Sequence, residues 1–167
     1  GGFTWEESVI ASPGEVFTID FPAIEGGPPS GELWVYNLDK PWLAVGPSPY
    51  DSEKDVLYLS YTLFITKYRL IWIDGMPFLD LIDALSVIEM VSSEDGGHNW
   101  NLPVEVSPVT PLFQISRRLV QGSQPAVAPD GTLYVTYWDS TDDGMGKGEA
   151  EIWVTASRDQ GETFYQN

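Results

Sequence analysis

Ser93-Glu94-Asp95-Gly96-Gly97-His98-Asn99-Trp100 and Ser157-Arg158-Asp159-Gln160-Gly161-Glu162-Thr163-Phe164 share one pattern, Ser-x-Asp-x-Gly-x-x-Trp/Phe. Each fixed position has a physical reason. The Ser hydroxyl and Asp carboxylate can cap backbone N–H groups in a tight turn, and Gly supplies a positive φ. The aromatic ring then folds back and anchors the turn on a sheet. A third, beheaded copy opens the chain, where Gly2-Phe3-Thr4-Trp5 fits the last four positions of the pattern.

Upstream of each complete turn the similarity continues. Leu57-Tyr58-Leu59-Ser60-Tyr61 matches Leu133-Tyr134-Val135-Thr136-Tyr137, and Val87–Ser93 parallels Glu151–Ser157. Further upstream, Pro41-Trp42-Leu43-Ala44-Val45 parallels Pro125-Ala126-Val127-Ala128-Pro129. The turn glycines Gly2, Gly97 and Gly161 stand 95 and 64 residues apart. The difference falls in connections, where added length costs little, while the cores keep their register. Each core is short, rich in Val, Ile, Leu, Tyr and Trp, and bounded by Gly, Pro, Asp or Ser, which predicts strands. The expected strands lie near 41–46, 56–64, 86–92, 102–107, 124–128, 132–138 and 150–156, with two more near 15–20 and 32–37. Asp74-Gly75 predicts a hairpin turn. After it, Phe78, Leu81, Ile82 and Leu85 fall at helical spacing, which predicts one or two helical turns near 78–85.

The 167 residues hold 25 acidic and 8 basic side chains, a formal charge of -17. With 43% hydrophobic and 13% aromatic residues the chain can build a core, unlike a disordered acidic chain. The acids are spread over both halves and form no tail. Eight scattered cations cannot build a phosphate-binding stripe, so nucleic acid is excluded as a partner. The apolar region Val56–Val91 is broken by Lys67, Arg69, Asp74, Asp80 and Asp83, so membrane insertion is not expected either. Without cysteine there are no disulfides, thiolate metal sites or Cys nucleophile. The single histidine, His98, lies within a turn pattern and reads as a turn residue.

The repeated turns and the phrases Asp39-Lys40-Pro41-Trp42-Leu43-Ala44-Val45 and Gln124–Val135 resemble the Asp-box, or BNR-repeat, β-propellers of the sialidase-like superfamily. The resemblance implies an all-β fold of antiparallel four-stranded blades. In that family the box joins the third and fourth strands of a blade on the outer rim, and each first strand lines a central channel. Gly2, Trp5, Ser93, Asp95, Gly97, Trp100, Ser157, Asp159, Gly161 and Phe164 are then architectural. A propeller has about four to eight blades. The expected reading is therefore a fragment of one propeller domain over 1–167: a blade end at 1–10, a blade with insertions at about 38–107, and a second, incomplete blade at about 120–167. Its partners would be the remaining blades of the same propeller, or other copies meeting along open blade edges.

The resemblance implies two functions. One is a non-catalytic scaffold, adhesion or carbohydrate-binding module of a secreted, periplasmic or cell-surface protein, with a glycan as ligand. The other is part of a sialidase-like exo-glycoside hydrolase whose remaining catalytic residues lie outside this chain. Such enzymes grip a substrate carboxylate with three arginines and use a Tyr–Glu nucleophile pair and an Asp acid/base. Arg117 and Arg118, just upstream of an expected channel strand, are the candidates for that grip; loop cations on an acidic surface are the competing reading. Asp39 and Lys40, with Ser123 and Gln124 as their counterparts, are the candidates to face a channel ligand, although Asp39–Lys40 also reads as a structural ion pair. No cofactor is expected beyond Ca2+, for which Asp139, Asp142 and Asp143 offer hard oxygen ligands; a solvated hairpin loop accounts for the same residues. The insertion 63–85 either extends a blade or forms a docking surface.

Overall fold

A computed structural model describes residues 7–21, 26–113, 117–141 and 150–165, and these are all β, with no helix. The strands are β1 (Glu15–Phe21), β2 (Ser30–Pro47), β3 (Asp55–Ile73), β4 (Met76–Ser93), β5 (Val104–Glu105), β6 (Thr110–Pro111), β7 (Val120–Val127), β8 (Leu133–Asp139) and β9 (Glu151–Ser157). They form two antiparallel sheets. The first is ordered β1-β2-β3-β4-β5, with β6 also pairing β4, and the second is β7-β8-β9. The beheaded turn copy with Gly2 and Trp5 lies outside the described residues.

The repeat is visible in the ladders. Leu57 pairs with Ser93, and its counterpart Leu133 pairs with Ser157. The C-terminal half of β2, the N-terminal half of β3, the C-terminal half of β4 and β5 form a four-stranded, blade-like unit. β7, β8 and β9 repeat its first three strands. Between the units lies a core of Val56, Tyr58, Ile88, Met90 and Val106 against Val120, Leu133, Val135 and Tyr137.

The helical turns expected near 78–85 do not form. Asp74 (φ 51°) and Gly75 (φ 77°) make a tight two-residue turn of left-handed residues, and the chain after it returns as β4, with Ile71 opposite Phe78 and Tyr68 opposite Leu81. The ladder skips Ile82, since Lys67 pairs with Asp83 and Tyr68 with Leu81. That one-residue bulge breaks the two-residue alternation, and the broken alternation imitates helical spacing. The insertion 63–85 therefore extends the strands of the first unit. With β1 and the N-terminal half of β2 it builds a long four-stranded arm, on which Phe17 stacks on Trp34 (5.9 Å) and Lys67 sits 4.8 Å from the centre of a Trp34 ring. Lys67 also pairs with Glu32 at 2.8 Å.

The first strands match with a shift. Val45 pairs with Leu57 and Val127 with Leu133. The counterparts of Asp39, Lys40 and Pro41 are thus Gln121, Gly122 and Ser123, two residues before the expected ones. The two prolines Pro41 and Pro125 suggested the wrong alignment because they do not occupy equivalent rungs. Both strands carry a bulge at the same place, between Asp39 and Trp42 and between Gln121 and Gln124. Each bulge holds one left-handed residue, Lys40 (φ 51°) and Gly122 (φ 69°).

β2 and β7 lie side by side and approach closely at Gly46, where an added Cβ would sit 2.5 Å from the Cβ of Val127. No side chain fits there without separating the sheets. Gly46→Ala is expected to destabilise the protein by about 1–3 kcal/mol through overpacking, read as a lower urea midpoint. Val127→Gly in the same chain should recover part of that loss.

Candidate functional site

The two turns have nearly the same hydrogen bonds. In the first, Ser93 Oγ accepts from Gly97 N and donates to Asp95 Oδ1, both at 2.9 Å. Asp95 Oδ1 also accepts from Asn99 N at 2.9 Å, and Oδ2 from Asn99 Nδ2 at 2.6 Å. In the second, Ser157 Oγ accepts from Gly161 N at 2.9 Å and donates to Asp159 Oδ1 at 2.6 Å. Asp159 Oδ1 accepts from Thr163 N at 3.0 Å, and Thr163 Oγ1 donates to Oδ2. Gly97 and Gly161 hold φ of 93° and 86°. Trp100 donates Nε1–H to the Gly97 carbonyl at 3.0 Å, and Phe164 packs on the core between the sheets. The fixed positions are thus occupied in holding the turns.

These bonds set the acidity of the turn carboxylates. The backbone and side-chain N–H groups of Asn99 and the Ser93 hydroxyl hold Asp95 down at about 2. Burial acts upward on Asp159, but the hydroxyls of Ser157 and Thr163 and the Thr163 N–H outweigh it, and the net shift is downward.

Gln160 had no place in the sequence pattern, yet it joins the two units at the rim. It accepts from Ser48 Oγ at 2.8 Å and donates to Glu94 Oε1 at 2.6 Å. It takes the left-handed conformation (φ 62°) of its counterpart Gly96 (φ 72°). The only available signal was a non-glycine residue at a position that is glycine in the other copy. A recess of about 250 Å3 opens beside it, lined by Met90, Ser92, Glu94, Asn101 and Glu162.

The residues expected to face a channel divide into two groups. Asp39, Lys40 and Gln124 are exposed. Ser123 is buried, and its hydroxyl donates to Ser60 Oγ across the sheets at 2.9 Å, so it is a packing residue. Asp39 and Lys40 form no side-chain ion pair: Asp39 Oδ1 accepts from the Lys40 backbone N–H at 2.9 Å, while Lys40 Nζ donates to Gln121 Oε1 at 2.7 Å. Asp39, Lys40 and Gln124, with Trp42 at 53% exposure, are therefore exposed polar positions on the adjoining strands β2 and β7, and Gln121 beside them is half-buried.

Arg118 is held by Asp139 through two bonds, Nε to Oδ1 at 2.9 Å and Nη2 to Oδ2 at 2.6 Å. Asp139 is fully buried and also accepts from Thr141 N at 2.8 Å. Both of its oxygens are engaged, which removes it from the expected cation-binding loop. Asp142 and Asp143 lie outside the described residues, among which no three acidic or histidine side chains cluster as a metal site. Arg118 borders a recess of about 200 Å3 with Tyr137, Trp153 and Thr155. Arg117 is exposed and left-handed (φ 43°).

A Tyr–Glu pair does occur. Tyr61 donates to Glu89 Oε2 at 3.0 Å, and Ser12 Oγ lies 2.9 Å from the same hydroxyl. Tyr61 is buried beneath the segment before β1, and burial pushes the pKa of both the Tyr61 hydroxyl and the Glu89 carboxyl above its ordinary value. Tyr61 belongs to a packed face with Leu63, Val87 and Val91 and lies opposite the β2 bulge at Lys40 and Pro41.

Comparison of the chain with protein-family models, curated proteins and solved structures gives no significant match.

Because Asp95 is more acidic folded than its ordinary value of 3.8, its contribution is full above that value and lost as pH falls toward about 2. Urea midpoints should fall between these limits. Asp95→Ala should be less stable at neutral pH and show a shallower acid decline over the same interval; an unchanged decline would remove the carboxylate from the turn's energetics.

Proposed function

We propose that the chain is a pair of Asp-box propeller blades acting as a non-catalytic, carbohydrate-binding scaffold of a secreted or cell-surface protein. The observation that carries the binding role is the exposure of Asp39, Lys40 and Gln124, with Trp42, on the adjoining strands β2 and β7, where half-buried Gln121 accepts from Lys40. Carboxylate, ammonium and amide groups suit the hydroxyls of a sugar, and an exposed indole suits its C–H face. A few oriented polar groups beside an aromatic surface make a recognition site.

The non-catalytic part of the reading has separate support. Arg118 is bound through two nitrogens to a buried carboxylate, and the Tyr61 hydroxyl is buried and engaged by both Glu89 and Ser12. The repeated turn residues Ser93, Asp95, Ser157 and Asp159 are used in local hydrogen bonds. The blade reading itself draws on the two turns, which recur after the third strand of each unit with a common ladder register.

Titration with a panel of neutral and sialylated oligosaccharides tests the proposal. Saturable binding is expected, weakened about tenfold or more by Trp42→Ala, with the melting temperature unchanged because the side chain is half exposed. No binding by any glycan would remove the carbohydrate role. Release of the fluorophore from a fluorogenic sialoside would instead favour the hydrolase reading.

A further inference from the structure

We propose that the Asp74–Gly75 turn at the tip of the arm is a modification site, where the chain rearranges spontaneously to isoaspartate while the fold protects the other described Asp–Gly pairs.

The chemistry is intrinsic to the dipeptide. The Gly75 amide nitrogen attacks Cγ of the Asp74 carboxylic acid. A Cγ–N bond forms, and the amide proton and the carboxyl hydroxyl leave as water. One water then opens the five-membered imide. Cleavage at Cγ restores Asp74, whereas cleavage at the main-chain carbonyl leaves the backbone running through the side chain, as isoaspartate, with no net change in mass. Glycine favours the step because no Cβ crowds the attacking nitrogen.

The sequence holds Asp74–Gly75, Asp95–Gly96, Asp130–Gly131 and Asp143–Gly144. The last lies outside the described residues, and the structure separates the other three. At Asp95 the electrophile is occupied. Both carboxylate oxygens accept hydrogen bonds within the turn, from Asn99 and Ser93, and these keep the group ionised by holding its pKa down at about 2. An ionised carboxylate has no hydroxyl to lose. At Asp130 the nucleophile is occupied as well: Gly131 N donates to the Ala128 carbonyl at 2.9 Å, while Asp130 Oδ1 accepts from Thr132 N at 3.0 Å. Gly131 is also buried against Pro49, where a Cβ would come within 2.5 Å of backbone atoms, so the main chain has no room to rotate.

Asp74 has none of these restraints. Neither its carboxyl nor the Gly75 N–H has a hydrogen-bond partner among the described residues. Both residues are exposed, and nothing lies within 4 Å of the place a Gly75 Cβ would take. Attack on Cγ requires Asp74 to leave its turn conformation, whose left-handed φ of 51° is uncommon for a residue with a side chain. The last rung of the arm, Ile73 opposite Met76, resists that movement, and its side chains are 51% and 60% exposed. End rungs with so little burial open at low cost. Isoaspartate adds one carbon to the main chain of a two-residue turn, so the Ile73–Met76 rung cannot close as before.

The test is to incubate the folded protein at neutral pH and body temperature for several weeks, digest it with chymotrypsin, and locate isoaspartate by electron-transfer fragmentation. Isoaspartate should accumulate several-fold faster at Asp74 than at Asp95 or Asp130. In concentrated urea, where the protecting bonds and packing are gone, the three rates should converge. Asp74→Asn should react faster still, losing ammonia in place of water, with the turn intact because Asn-Gly is favoured there. Asp74→Glu should leave the position unreacted, because its ring would be six-membered. No isoaspartate at Asp74, equal accumulation at Asp95 or Asp130 in the folded chain, or a preference for Asp74 that persists in urea would overturn the proposal.

Discussion

The free edge of β7 is the constraint on which the arrangement depends. As the first strand of a three-stranded sheet, β7 leaves backbone donors without ladder partners, and the joint between the sheets buries them. Two hydroxyls of the first sheet capture them: Val120 N donates to Ser86 Oγ at 3.1 Å, and Gly122 N to Thr62 Oγ1 at 3.1 Å. Ser123 adds its bond to Ser60. A buried donor left unpaired costs about 1–3 kcal/mol. Small hydroxyl residues at Ser60, Thr62 and Ser86, all fully buried, therefore fix where the second sheet can sit. An apolar surface alone would tolerate sliding; these bonds specify one position.

Other features follow from that position. The left-handed Gly122 lies in the bulge and offers its N–H to Thr62. The left-handed Lys40 occupies the equivalent bulge and reaches across to Gln121, so the two irregularities meet. Farther along, Gly46 admits Val127, and Gly131 admits the turn at Pro49, where a Cβ would come within 2.5 Å of backbone atoms. At the rim, Gln160 joins the second turn to Ser48 and Glu94 of the first unit. The joint is apolar at its centre and closed by polar contacts at both ends. Arg118 and Asp139 secure the opposite end of the second unit by tying the chain just before β7 to the end of β8.

The sequence was most legible where a feature repeats. The two turns announced their glycines, carboxylates and aromatic anchors, and the strands around Leu57 and Leu133 could be placed from periodicity and punctuation. Register was less legible wherever a bulge intervened. Pro41 and Pro125 seemed equivalent because they precede similar residues, but the rungs opposite Leu57 and Leu133 place them two positions apart. Ile82 had a similar effect in β4, where one extra residue changed alternation into apparent helical spacing. The buried role of Ser123 and the clamp at Gln160 depend on contacts between units, separated by 63 and 112 residues for their bonds to Ser60 and Ser48. No local pattern encodes such contacts.

The distribution of charge connects the joint to the exposed surface. Two molecules of charge -17 repel each other over about 8 Å at physiological ionic strength. Repulsion of that range opposes indiscriminate contact, including edge-to-edge pairing by the arm, whose residues Ile73, Met76, Phe78 and Leu79 are 51%, 60%, 43% and 56% exposed. It acts on every approach, whereas apolar burial acts only where two faces fit. Buried carboxylates are correspondingly scarce at the joint: Asp139 is the only fully buried acid among the described residues, and it is paired with Arg118. Acids on the outside and hydroxyls between the sheets thus serve different ends. The former make contact between molecules costly in general, and the latter hold the two sheets of one molecule in one register.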